Sequence, residues 1–581
     1  MVSHKPHNSA RTVASWMPAI LAIIVLVPAS AGAKNVRSQT PFCKALNNPQ
    51  LNPNGQIYSA GGQMYCFGLQ RNGSTVPTSS PSLAASIIAN VDAASTSEDV
   101  APNGTQAYGQ SETSIAAVDQ YVVEGWNDAT GFVSPCPSPN NKESGTGFGF
   151  SNNGGNSFVD MGGIPNDNCA SFVSAGDPSV EAWEYQGTHY FYISYLYPSA
   201  TGLGANNLGL TACKVAGSGT SATLECGQPI IAATSSQCIS TPAGTVCSFL
   251  DKDFLSIDPQ RGRLYMSYTD FEGNSDNPTG VPTEIGLAVC NIKSNPLLPV
   301  CSNGSKTAPA PPYLVIARPD VNGCENEGAY PAVDVRPGDV YVAYEHNWGT
   351  NLSASGPCLT EPVADVMTYV PKSCLTLPKA SCASPAHQTS ELVTSLSAAF
   401  IPGYNRFPMN DFPRIAVSDP AGTVSMVWND ARFAPLGDIL LQSFELGSLT
   451  PFQSEPVRVD NDAQSGEGFK MLPALRKAED DGTLPITWFS RKTTTTSLTD
   501  YYAALGVDPK TTSTPASNIR ITNVSSDWVG VSSDIVPNFG DYTDNYAGAI
   551  GTAPFSNETL FAAWSDGRKG VPQPFEAHVV H

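Results

Sequence analysis

Charge is scarce in this chain: Asp, Glu, Lys and Arg make up only 14% of its 581 residues. Gly (50) and Pro (48) are abundant instead, a turn-rich β composition that argues against long helices. Basic residues are the scarcer sign, 30 Lys and Arg against 51 Asp and Glu, for a formal charge of −21. Such a surface repels phosphate backbones, which excludes nucleic acid as an expected partner. After residue 33 no apolar run approaches a transmembrane length. No CxxC pair occurs, so a zinc ribbon or thioredoxin-like centre has no support. A nucleophile elbow, a phosphate loop and a zinc motif are missing as well.

The first 33 residues read as an export signal. His4, Lys5 and Arg11 give a basic start, Trp16 to Val27 an uncharged apolar run, and Ala31-Gly32-Ala33 a small-residue cleavage site. An uncleaved N-terminal anchor is the alternative. All 14 cysteines follow this segment, an even number suited to disulfides in an oxidising compartment. A secreted, periplasmic or cell-surface location is therefore expected, with no membrane span once the signal is removed, and a monomer.

One pattern recurs along the rest of the chain: an acidic or aromatic residue, two stretches of period-2 apolar alternation around a short turn, then Trp or Tyr. Copies begin at Ser114, Asp177, Asp253, Tyr330, Asp411, Leu472 and Asp541. Each hairpin fills less than half of its repeat, and the remainder has room for two more strands. Four-stranded units at this period are propeller blades. The expected fold class is therefore all-β, a β-propeller of seven blades, with six as the alternative. The last repeat has room for three strands only, and Ala85 to Asp92 is expected to supply the fourth, removing exposed edges. The expected organisation is a signal peptide over 1–33, an irregular segment over 34–84 partly ordered through Cys43 and Cys66, and one propeller over 85–581. Paired cysteines on the arms of outer hairpins predict bridges Cys213–Cys226, Cys290–Cys301 and Cys374–Cys382.

Ser151-Asn152-Asn153-Gly154-Gly155-Asn156-Ser157-Phe158 resembles the Asp-box (BNR repeat) of sialidases, with Asn153 for Asp, Ser157 for Thr and Phe158 for Trp. In such a turn a short polar side chain ties down amides, Gly permits the bend and the aromatic anchors it. The resemblance is to sialidase-like propellers, and it implies an exo-α-sialidase or related glycoside hydrolase. Those enzymes grip a carboxylate with three arginines and pair a Tyr nucleophile with Glu, with Asp as acid/base. The chain departs from that pattern in its seven repeats, against the usual six, in lacking an R-I-P signature in the first blade, and in lacking a second good Asp-box.

In a propeller, strand-one starts and strand-two ends ring the mouth of the central channel. The residues falling there include Arg414, Arg432, Arg491 and Arg568, candidates to bind an anionic substrate, and Tyr542, Asp541 and Asp253, candidates for catalysis. Arg432, Arg491 and Arg568 recur at equivalent places, as WNDAR, WFSR and WSDGR, which also fits salt bridges within the blade edges. Asp541 to Tyr546 could hold a Tyr nucleophile or oxygen ligands for Ca²⁺, though no cofactor is required. Two functions from different classes stand: a glycoside hydrolase acting on extracellular glycans, and a non-catalytic propeller binding a glycan or a surface protein.

Overall fold

The computed structural model describes residues between 41 and 580, leaving out 48–59, 68–87, 96–98, 102–103, 134–143, 166–170, 236, 272–282, 303–313, 319–323, 349–361, 376–386, 395–400, 407–411, 462–467, 492–495, 516 and 549–558. The signal segment, Asp411 and Cys382 lie outside the described residues.

Seven antiparallel sheets follow one another along the chain as the blades of a propeller. Their inner strands are Gln110–Val118, Ser179–Tyr185, Phe249–Asp258, Glu325–Asp334, Arg414–Ser418, Phe469–Ala474 and Asp544–Gly548. Alternation places one face of each sheet against the next blade, and burial between blades forms the core. Ile115, Val122 and Phe150 of blade one, for example, pack with Val180, Phe191 and Ile193 of blade two. The seventh blade is closed by the N-terminal segment, as its length requires. Val91–Asp92 pairs antiparallel with the final strand, Val91 opposite Glu576 and Asp92 opposite Phe575. Of the Ala85 to Asp92 expected, residues 85–87 lie outside the described residues and 88–90 are not strand.

Bridges join Cys213 to Cys226 and Cys290 to Cys301, each pair directly opposed across two strands. In each of these blades the third strand is paired on its outer side by two pieces, Thr223–Cys226 and Ile230–Thr234 in blade two, Val300–Cys301 and Leu314–Ala317 in blade three. The outer partner of the long third strand is split in two, and the cysteines clip its first piece. Cys374 is disulfide-bonded but sits in a 3₁₀ turn rather than on a strand. Two features went unforeseen. Cys238–Thr241 and Gly244–Cys247 form a separate hairpin closed by Cys238–Cys247. The segment before the propeller carries helices Pro41–Leu46 and Ala60–Phe67, with Phe42 stacked 4.6 Å from Phe249 of blade three; the Cys43–Cys66 tie between them is the expected one.

A cross-strand rule explains three glycines. Trp126, Tyr195 and Tyr268 near the ends of their second strands face Gly147, Gly209 and Gly286 on the third. Each ring lies over its glycine, so a Cβ on Gly286 would stand 2.4 Å from the Tyr268 ring. Gly286→Ala is expected to cost about 1–3 kcal/mol by overpacking. A lower denaturant midpoint would show it, and an unchanged midpoint would mean that the ring has room to move.

Candidate functional site

The inner strands enter the channel through irregular backbone. Register shifts interrupt the first hairpins of blades one, three, four and six at Ser111/Ser114, Asp251/Phe254, Glu327/Tyr330 and Met471/Ala474. Left-handed residues sit inside those bulges: Glu112 (φ 55°), Lys252 (φ 55°), Gly328 (φ 70°) and Leu472 (φ 51°). Asp177 at the entrance to blade two has φ 56°. Positive φ is uncommon for residues other than Gly, and a bulge re-aims its side chain. Here the charged side chains turn towards one another.

Lys252 Nζ lies 2.9 Å from Asp541 Oδ2, 3.1 Å from Asp177 Oδ2 and 3.6 Å from Glu112 Oε1. Arg406 pairs with the other oxygen of Asp541. All five side chains are buried, and they tie blades one, two, three and seven together. Burial, with Asp177 beside it, holds the Glu112 carboxyl well above its usual range. Burial also raises Asp177, but Lys252 together with hydrogen bonds from its neighbours outweighs it and leaves Asp177 lower than normal. Holding Glu112 in its protonated form lessens the excess of carboxylates facing Lys252 and Arg406.

Beside it Arg414 is stacked among aromatic rings, 4.2 Å from Phe254, 4.7 Å from Tyr330 and 5.3 Å from Tyr542. Tyr542 is buried and its hydroxyl donates to the carbonyl of Pro178 at 3.1 Å. Burial, reinforced by the acidic neighbours Glu112, Asp177 and Asp253, pushes that hydroxyl well above a normal tyrosine. Asp253 is fully buried, and desolvation raises its carboxyl strongly. A second ion cluster completes the channel: Arg476 pairs with Asp544 and, at 3.3 Å, with Glu181, and donates to Ser114 Oγ at 3.1 Å. The carboxylates of Asp541 and Asp544, in the segment that offered oxygen ligands for Ca²⁺ as one reading, thus each face a cation.

The other arginines are held in blade edges. In blades five and seven the tryptophan indoles donate to an aspartate two residues on, Trp428 to Asp430 at 3.0 Å and Trp564 to Asp566 at 2.9 Å. The same aspartates accept from the backbone and guanidinium of Arg432 and Arg568. Arg432 also reaches Leu392 O, and Arg568 reaches Asn90 and Asn523. Arg491 bonds Thr499 and the carbonyl of Pro402. No partner named for one of the three is shared with another, and the recurrence of WNDAR and WSDGR has a structural basis in this W-x-D-x-R tie.

A groove of about 630 Å³ opens between blades three and four on the mouth face. Ile316, Ala364 and Val366 give it an apolar floor, and Tyr344, His346, Asn326, Gln388 and Arg318 give it polar groups. The His346 ring is set by a 2.8 Å contact between Nδ1 and Asn326 Oδ1. Gln388 Nε2 donates to Tyr344 Oη at 3.0 Å. The Arg318 side chain is 76% exposed, with Glu284 no closer than 3.9 Å. His346 lies near the end of its blade's second strand, Asp339–Trp348. Arg318, Asn326 and Gln388 come from three other strands or their ends and left no spacing signal. Glu112 and Arg406 were missed for the same reason, being 429 and 135 residues from Asp541.

No family model matches the chain, and no curated protein matches it. Among solved structures it is similar to a Hadza microbial sialidase, at 11% identity over 67% of this chain and 63% of that one, with a TM-score of 0.35. It is also similar to Trypanosoma rangeli sialidase in complex with the inhibitor DANA, at 9% identity over 71% of this chain and 58% of that one, TM-score 0.35. An α-L-arabinofuranosidase from Lactobacillus brevis aligns at 10% identity over 62% of this chain and 92% of that one, TM-score 0.26. The alignment spans less than two thirds of either sialidase. The chain is a seven-bladed propeller similar to sialidase-like propellers, and at such identity no activity passes to it from them.

Proposed function

We propose that this protein is an exported, non-catalytic propeller that binds acidic glycans in the groove between blades three and four. The observation that carries the reading is the groove itself. It offers a ring, an imidazole, two amides and a well-exposed guanidinium over an apolar floor. Sugars are held by such sets, with ring faces on apolar surface and hydroxyls on amide and imidazole groups, and Arg318 suits a carboxylate. The channel supports the non-catalytic half of the reading. A tyrosine nucleophile needs a base within reach, and the Tyr542 hydroxyl is committed to a backbone carbonyl. The disulfides among the described residues suit an oxidising compartment.

The test is calorimetric titration of the mature protein with sialyllactose and with lactose, beside a fluorogenic sialoside assay. Sialyllactose is expected to bind without turnover, and Arg318→Ala to weaken it about tenfold or more, as loss of a charge-assisted contact does. Binding unchanged in Arg318→Ala and His346→Ala would overturn the groove. Turnover abolished by Tyr542→Phe would overturn the non-catalytic reading in favour of a hydrolase.

A further inference from the structure

On the face opposite the channel mouth, the first hairpin turns of blades one and two meet. Asp119 occupies the blade-one turn at φ 51°, and Gln186 (φ 52°) and Gly187 (φ 73°) form the turn of blade two. Glu184 and His189 flank that second turn as a directly opposed pair. His189 Nε2 lies 2.6 Å from Asp119 Oδ2, and one ligand atom from each of Asp119, Glu184 and His189 lies within 4.8 Å of the others. The Tyr121 ring, 5.0 Å away, backs the imidazole.

The two blades are also stitched together beside these residues. Gln120 Nε2 donates to Asn152 O at 2.7 Å, and Asn152 Nδ2 donates to Thr220 O and Ala222 O, both at 3.0 Å. The amide of Gly219 donates to Tyr121 Oη at 3.2 Å. Asn152 belongs to the turn Ser151 to Phe158, where Ser151 Oγ accepts from Gly155 N at 2.9 Å and Asn153 Oδ1 accepts from Ser157 N at 3.1 Å. That tight turn therefore fixes the spacing between Asp119 on one blade and the Glu184–His189 pair on the next. A site assembled from rigid elements loses little on binding.

We infer that Asp119, Glu184 and His189 bind a divalent transition-metal cation of the Zn²⁺ class across blades one and two. One imidazole nitrogen with two carboxylate oxygens is a donor set for Zn²⁺, Ni²⁺, Co²⁺ or Cu²⁺ rather than for Ca²⁺ or Mg²⁺, which take oxygen alone. The two carboxylates neutralise the ion, and water completes its shell. Ligand atoms around zinc stand about 3–3.5 Å apart. The His189–Asp119 contact must open slightly and Glu184, whose residue is exposed, must swing in. The site is separate from the groove and does not depend on the glycan reading.

Titration of the mature protein with Zn²⁺ in a non-chelating buffer, with Ca²⁺ and Mg²⁺ alongside, tests it. One equivalent is expected to bind in the micromolar range and raise the melting temperature. Glu184→Gln, a change at an exposed position, and His189→Gln should each weaken binding tenfold or more. No binding at about 100 µM Zn²⁺, affinity undiminished in both variants, or equal affinity for Ca²⁺ would each overturn the assignment.

Discussion

The melting temperature should fall by about 5 °C or more between pH 5 and pH 8, a trend opposite to that of most proteins with paired surface carboxylates. Asp99, Asp334, Asp438 and Glu576 are all buried, and desolvation, the largest influence on each, pushes their carboxyls up to about 7. Burial also drives the Glu124 and Glu327 carboxyls well above their usual range. A folded-state pKa above the unfolded value means that the native state binds more protons between the two. The stability these groups lend is complete below about pH 4, where both states are protonated, and drains away as pH climbs through 7. Two of them mark the place where the ring closes. Glu576 sits opposite Val91 in the closing pair, and Glu124 in blade one feels the Glu576 charge. Ionising both puts like charges in a dry joint. His578, 3.5 Å from Glu576 and itself shifted upwards, softens this only while it holds its proton. Glu576→Gln, which cannot ionise, should raise the melting temperature at pH 8 and change it little at pH 5. A melting temperature that rose from pH 5 to pH 8 would show that water reaches these carboxyls.

How much of this was legible in the sequence depends on the range of the interaction. The blades were readable because a period-2 alternation around a turn is local, and each of the seven repeats carries its own copy. The closing strand was readable by arithmetic, since the last repeat lacked room for a fourth strand. The bridges within blades two and three were readable because their cysteines are only 13 and 11 residues apart. The split of the outer strands was not, because it depends on how far a third strand outruns its neighbour. The arginines illustrate the limit. WNDAR and WSDGR recur visibly, but recurrence alone does not distinguish a ligand clamp from a tie between indole, aspartate and guanidinium within three or four residues. Lys252 lay in view between Asp251 and Asp253. Its partners come from the entrances of three other blades, and the left-handed bulge that turns it inward has no residue signature, because Glu, Asp and Lys all adopt it here.

That lysine carries the second large prediction. Lys252→Met keeps most of the side-chain volume and removes the charge, leaving Asp177 and Asp541 buried with Arg406 alone against them, beside Glu112. Breaking a buried ion pair from one side costs about 3–5 kcal/mol, because the orphaned charge stays out of water. The loss should appear as a lower melting temperature and a faster unfolding rate at pH 8, and it should be larger than that of Gly286→Ala. It should also shrink in acid. Without Lys252, Asp177 loses the largest influence that holds it below the normal carboxylate range, so burial pushes its affinity for protons up. Protonation then neutralises the cluster from the other side. The double variant Lys252→Met, Asp177→Asn reaches the same balance at any pH, so it should recover part of the stability at pH 8 and leave little pH dependence in the difference from wild type. Such coupling is expected of groups in direct contact and not of sites that merely share a fold. Equal losses for Lys252→Met at pH 5 and pH 8, with no recovery in the double variant, would mean that the lysine acts through its packing on the Tyr542 ring, 5.1 Å away, and not as the charge on which four blades converge.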